Sequence, residues 1–221
     1  SKGETFRRII EEKTASLDIG GGSIQISLVD KDTLVSTQNL RLGVLRLQEL
    51  LNHLNAGSTQ MERLVDELAT AQLDDYKKLY LKDREIKNII IVDDYLSPWA
   101  VRKAHERGEV NAVVDRKAFS QLMEALRTKG TTELAKRMDI AEEKVPLVYI
   151  SAILTRRIAE LMGAELVWAP GVTLCDGIAY EYAEQNKMFR GEHDFAEDII
   201  ACALNISKRY NGSSKRADTL E

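Results

Sequence analysis

The sequence has little with which to cross-link itself or cage a metal. Two of its 221 residues are cysteine, Cys175 and Cys202, too few for a disulfide framework and without metal-ligand spacing. That usage suits a reducing cytoplasm, the expected location. The three histidines, His53, His105 and His193, are scattered, so a zinc enzyme is not expected. No apolar run approaches the roughly 20 residues that span a bilayer, and Ser1 to Thr5 form no secretory signal. Charge of one sign is lacking too. With 31 basic and 35 acidic residues the net charge is −4, so no global basic field draws the chain onto nucleic acid or an anionic membrane. Any polyanion it handles must be held locally.

What remains is a globular composition, 44% hydrophobic and 30% charged. Against a prior of roughly 150 residues per domain, the length corresponds to one large domain and a fragment, or to two small domains. The missing initiator Met and the end at Asp218 to Glu221 suggest a piece cut from something longer.

Strands come first. Ala15 to Leu17 leads into Asp18, and Ile24, Ile26 and Leu28 then alternate with Gln25, Ser27 and Val29, the period of a half-buried strand. A third strand covers Leu34 to Leu40. The link through Asp30, Lys31 and Asp32 is too short for a crossover helix, so these strands pair antiparallel. Val44, Leu47, Leu50, Leu51 and Leu54 fall at helical spacing. Met61, Leu64, Val65 and Leu68 do so again, behind a cap at Ser58 or Thr59. The β-branched run Ile89 to Val92 reads as a strand buried on both faces. Pro98 then opens a helix capped by Ser97. Helices follow over 116–138, broken at Gly130, and from Pro146 to Leu161. Leu166 to Trp168 is a short strand, and a last helix starts near Asp176. This order predicts an α/β fold, a mixed β-sheet flanked by helices. After a polar hinge, an amphipathic segment from Phe195 to Tyr210 has no further sequence to pack with.

One stretch carries chemistry: Asp18, Ile19, Gly20, Gly21, Gly22 and Ser23, between two strands. Three glycines allow positive φ and close approach of a ligand to the main chain. Their N–H groups can converge on phosphate oxygens. Asp18, at a strand end, suits Mg²⁺, which takes one or two carboxylates together with phosphate oxygens. Ser23 adds a hydroxyl. A plain hairpin turn with Asp18 capping its own backbone is the other reading. A Walker loop or dinucleotide fingerprint is excluded, because neither the Lys-Ser/Thr pair nor the following helix is present.

The run Leu17 to Ser23 resembles the second phosphate-binding motif of the Ppx/GppA phosphatases, exopolyphosphatases and guanosine pentaphosphate phosphohydrolases with a two-lobed, ribonuclease-H-like or actin-like ATPase fold. Leu40 to Leu47 resembles that family's strand-turn-helix, and Gly171 to Gly177 its closing loop. The resemblance implies an actin-like phosphatase lobe over 15–190, an N-terminal linker or helix over 1–14, and over 191–221 a hinge with the first helix of a truncated helical HD-type domain. It implies Asp18 as metal ligand, Mg²⁺ as cofactor, Gly20, Gly21, Gly22 and Ser23 as phosphate grips, and polyphosphate or guanosine tetra- or pentaphosphate as substrate. Water would attack the terminal phosphoryl group.

Two departures bear on activity. Where many members carry Thr-Glu after the Ser, this chain has Ile24 and Gln25. A Gln cannot be a general base but can orient water, the catalytic role expected of Gln25. Where a second glycine motif is expected after the central strand, Asp93 and Asp94 stand instead, either as metal ligands or as a helix cap. Glu4, Glu11 and Glu12 match no base motif, so the lobe bearing the catalytic Glu is expected to be missing and the fragment alone inactive. Arg41, Arg46, Arg156 and Arg157 line an anion path or a solvated helix face. The alternative function is a non-catalytic alarmone-binding or regulatory domain of the same fold, and an exposed lobe interface can support a homodimer.

Overall fold

The computed structural model describes residues 12–31, 33–54, 57–186, 188, 199–200, 203–204 and 206–207. Among them lie six strands, β1 (Thr14–Ile19), β2 (Ile24–Asp30), β3 (Thr33–Leu40), β4 (Asn88–Asp93), β5 (Ala112–Asp115) and β6 (Leu166–Ala169). Seven α-helices accompany them: α1 (Val44–His53), α2 (Ser58–Tyr76), α3 (Ser97–Glu106), α4 (Arg116–Thr128), α5 (Thr131–Met138), α6 (Val145–Met162) and α7 (Leu174–Gln185).

The strands form one mixed sheet in the order β3-β2-β1-β4-β6-β5. β1, β4 and β6 run parallel, while β2, β3 and β5 are antiparallel to their neighbours. The predicted α/β architecture therefore stands, with the first three strands paired as expected. Alternation in β1 and β2 buries Leu17, Ile19, Ile24, Ile26 and Leu28 on one face. Val44, Leu47 and Leu51 of α1, Val65 and Leu73 of α2, and Ile150 and Ile153 of α6 belong to the same core. Each such side chain contributes about 1.5–3 kcal/mol relative to exposure. α6 is buried almost along its whole length, which fits its apolar run.

Several boundaries differ from the sequence expectation. β5 was not anticipated, because four residues between a turn and a helix carry too little period to register. Gly57, not Ser58 or Thr59, occupies the N-cap of α2. Ser97 lies inside the first turn of α3, whose cap is supplied from β4 by Asp93. α7 starts at Leu174, and Asp176 is the third residue of a capping box with Thr173. The expected N-terminal linker falls mostly outside the described residues, as do Cys202 and most of the segment 195–210. Within that segment Ile199, Ile200, Leu204 and Ile206 are exposed. Among the described residues no helix is long and apolar enough to cross a membrane.

Candidate functional site

Because β1, β4 and β6 are parallel, their carboxyl ends share one edge of the sheet, and the segments that follow them, 20–23, 94–96 and 170–173, gather there. Open α/β sheets bind ligands at this edge. Asp18 sits near the end of β1 in register with Gln25 on β2 and Val92 on β4. Strand periodicity puts Asp18 and Gln25 side by side on one face, opposite the buried Leu17 and Ile19. Both are exposed. The Gln25 side chain has no hydrogen-bond partner among the described residues.

The glycine loop is more constrained than three glycines in a row suggest. Gly20 N donates to Ser23 O at 2.9 Å, closing the hairpin, so the Gly20 N–H is already used. The start of α1 docks on the loop from one side: Val44 N reaches Gly20 O at 3.0 Å, and Leu45 N and Arg46 N reach Gly21 O at 3.0 and 3.1 Å. Arg46 Nε donates to Gly22 O at 3.1 Å. In a planar trans peptide the carbonyl and the following N–H point in opposite directions. With the carbonyls of Gly20, Gly21 and Gly22 turned toward α1, the N–H groups of Gly21, Gly22 and Ser23 face away from it. None of these three has a partner among the described residues.

The close approach depends on Gly43. A Cβ there would lie 2.1 Å from Gly22 C and 2.2 Å from Gly21 O. Positive φ, which the sequence suggested for the loop, is not its device: in the described chain the glycines with positive φ are Gly108, Gly163 and Gly171. Close packing explains the composition instead, since a Cβ on Gly21 would also meet Leu45 Cδ1 at 2.8 Å.

The two carboxylates after β4 divide their work. Asp93 is buried and accepts from Leu96 N at 2.9 Å, Ser97 N at 2.6 Å and Ser151 Oγ at 2.6 Å, so it is a helix cap tied to α6. Of the two roles open in the sequence, this selects capping. Asp94 stays exposed. Partial burial, then the charges of Asp94 and Asp93, push the Asp18 carboxyl above its ordinary value. Desolvation and like charge both disfavour the ionised carboxylate, desolvation the more strongly. Among the described residues no three or more His, Cys, Asp or Glu side chains form a metal cage. Mg²⁺ needs no such cage where phosphate oxygens complete its shell, so Asp18 with Asp94 nearby is compatible with it.

The candidate arginines separate. Arg41 and Arg46 flank a groove of about 380 Å³ beside α1 that also includes His53. Arg156 and Arg157 are structural. Glu62 on α2 accepts from Arg127 at 2.7 and 2.8 Å, from Arg156 at 2.6 Å and from Tyr149 at 3.0 Å. Arg156 also reaches Asp66 at 2.9 Å, and Arg157 reaches Thr70 at 3.2 Å. Chiefly through the Arg127 hydrogen bonds, the Glu62 carboxyl is held down at about 2. A separate cleft of about 470 Å³ between α4 and α6 touches neither Asp18 nor the loop. Cys175 is exposed and free.

A six-stranded mixed sheet flanked by helices, with a glycine hairpin after its central strand β1, is consistent with the actin-like fold. A profile of the Ppx/GppA phosphatase family matches residues 6–186, and the chain belongs to that family. No curated protein matches the sequence. Among solved structures, a Ppx/GppA family member from Aquifex aeolicus superposes with a TM-score of 0.66 at 11% identity, over 83% of this chain and 60% of its own. The type II variant of the A. aeolicus Ppx/GppA phosphatase gives 0.63 at 12%, over 76% and 56%. An exopolyphosphatase from Cytophaga hutchinsonii gives 0.57 at 15%, over 81% and 62%. The chain thus spans less than two thirds of the length of these structures.

Proposed function

We propose that this chain is the phosphate-gripping lobe of a phosphoric-anhydride hydrolase acting on polyphosphate or a guanosine tetra- or pentaphosphate. The observation that carries the reading is the outward row of unpartnered N–H groups at Gly21, Gly22 and Ser23, beside the exposed carboxylate of Asp18. Peptide N–H groups offer donors to terminal phosphate oxygens without adding net charge, which suits a chain of charge −4. The Ser23 hydroxyl adds a donor to the same phosphate. Gly20 shapes the hairpin and does not itself bind. Mg²⁺, held by Asp18 with help from Asp94, would neutralise charge developing on the phosphoryl oxygens. Gln25, one strand away from Asp18, orients the attacking water through its free amide.

The site lies on an open sheet edge, and the chain spans only 56% of the type II A. aeolicus structure. Both facts support a second lobe, contributed from outside these residues, that supplies the general base and closes the cleft. The cysteine usage is consistent with a cytoplasmic protein.

The test is phosphate release from polyphosphate and from guanosine pentaphosphate by the full-length protein. Asp18→Asn should lower turnover by about a hundredfold or more, the loss expected when several kcal/mol of metal stabilisation disappear. Unchanged turnover would sink the assignment. Gln25 standing where many relatives carry Glu favours a second reading, a lobe that binds the alarmone without hydrolysing it. Calorimetric binding of the nucleotide with no metal-dependent phosphate release would select that reading.

A further inference from the structure

The three carbonyls of the glycine loop face the same side, but they are not held alike. Those of Gly20 and Gly21 take main-chain donors from the first residues of α1, at 3.0 to 3.1 Å. That of Gly22 takes a side chain, the Nε–H of Arg46, at 3.1 Å. Fixing Gly22 O also fixes the N–H of Ser23, which belongs to the same planar peptide and points the opposite way. Arg46 is exposed and has no acidic partner among the described residues. Its Nε–H is spent on Gly22 O, on the side opposite the outward N–H groups, and the residue lines the groove beside α1 with Leu47, Glu49, Leu50 and His53. It is therefore placed to act through the loop and not by touching an anion on the far side.

We propose that Arg46 is a positioning residue for anion binding: its directional Nε–H, not its charge, aims the Ser23 N–H at the terminal phosphate. The inference rests on the phosphate-holding role proposed above for the loop. A side chain on α1 thereby completes what the main chain of the helix begins, because by the third peptide no helical N–H is left to serve.

Three substitutions separate geometry from charge. Arg46→Gln places an amide nitrogen the same number of bonds from the backbone as Nε, which keeps the donor and removes the charge. Arg46→Lys keeps the charge but puts a methylene where Nε stood. Arg46→Ala removes both. The probe is inorganic tripolyphosphate, titrated into the full-length protein while the backbone amides of Gly21, Gly22 and Ser23 are followed by ¹⁵N–¹H spectroscopy. Affinity should fall about tenfold in the Ala and Lys variants, the effect of about one hydrogen bond to an anion, with the Ser23 amide response lost. The Gln variant should stay within about twofold of wild type and keep the Ser23 response. A Lys variant that binds like wild type beside a Gln variant that binds like Ala would overturn the inference in favour of a charge effect. Wild-type affinity in all three would overturn it outright. If the wild-type amides ignore tripolyphosphate, the phosphate reading of the loop falls and takes the inference with it. Responsive wild-type amides with unaffected variants refute the Arg46 role alone. Melting temperatures of the variants identify any that fail to fold, and the Gln and Lys pair decides the question without the Ala variant.

Discussion

An alanine at position 43 has nowhere to put its methyl group. The added carbon would sit 2.1 Å from Gly22 C, 2.2 Å from Gly21 O and 2.4 Å from Gly21 C. Carbon atoms pack at about 3.5–4.0 Å, so the loop and the start of α1 must part by more than about 1 Å. These neighbours are main chain, which cannot swing aside as the end of a long side chain can. Gly43 itself has φ −75° and ψ 148°, an extended conformation open to any residue, so the penalty is contact and not backbone strain. Parting by about 1 Å stretches three main-chain hydrogen bonds beyond useful length. At about 1 kcal/mol net apiece the loss is about 3 kcal/mol. The stiffer unfolded chain of an Ala variant returns about 0.4–1 kcal/mol of it. Gly43→Ala should therefore destabilise the fold by about 2–3 kcal/mol, a fall of roughly 4–12 °C in melting temperature for a chain of this size. Thermal and denaturant unfolding followed by circular dichroism measure both. A variant within about 0.5 kcal/mol of wild type would refute the docking geometry, and the orientation of the loop carbonyls with it.

Glu62→Gln removes the charge shared by Arg127, Arg156 and Tyr149 and should cost about 1–3 kcal/mol in denaturant unfolding, with phosphate release unaffected. The Glu62 carboxyl is held at about 2 against an ordinary 4.5, so its contribution is complete above pH 4.5 and is lost as pH falls toward 2. The acid limb of the stability profile should flatten over that window in the Gln variant; an unchanged limb would discard the network as its cause. Asp18 has the opposite sign. Its raised value means that the folded state resists ionisation, so its ionisation costs stability as pH rises past 3.8. Asp18→Asn should thus melt no lower than wild type at neutral pH while losing phosphate release, and a clear drop in melting temperature would show that the carboxylate is there for the fold.

The strands and helices that announced themselves were those whose pattern was local. Alternation from Ile24 to Val29 and the run Ile89 to Val92 specify β2 and β4 without reference to the rest of the chain. The pairing of Asp18 with Gln25 is a matter of register, which the β1–β2 ladder sets and the sequence pattern left open. β5 stayed hidden because Ala112 to Asp115 is pinned by β6, more than fifty positions away, and not by any period of its own. Asp93 was ambiguous between metal and cap for the same reason: what decides it is Ser151, 58 residues further on. The glycine loop could be recognised but not oriented. Its direction comes from α1, through Gly43 and Arg46, and neither carries a local signal of that duty. Arg156 and Arg157 read as potential anion ligands only while Glu62, Asp66 and Thr70 were too far along the chain to be seen as their partners.

The loop's glycines also differ in why a side chain is absent. Gly21 is packed against Leu45, and the Gly20 main chain is committed to the hairpin. Gly22 has neither reason. A Cβ built on it meets no atom within 4 Å, and its φ lies outside the left-handed region. The protein therefore leaves space beside Gly22 that it does not use. A phosphate drawn against the N–H groups of Gly22 and Ser23 would use it, because a methyl group there stands between the main chain and the incoming oxygens. Gly22→Ala should accordingly keep the wild-type melting temperature, or gain the small benefit of a stiffer unfolded chain, about 0.4–1 kcal/mol. Its affinity for tripolyphosphate should fall by about tenfold or more, the loss of at least one hydrogen bond to an anion. Gly43→Ala damages the fold first and binding as a consequence, whereas Gly22→Ala should damage binding alone. Calorimetry on the same Gly22→Ala sample used for melting decides it. Intact affinity would mean that the vacant side of Gly22 faces solvent and nothing else, and that the anion lies elsewhere on the sheet edge.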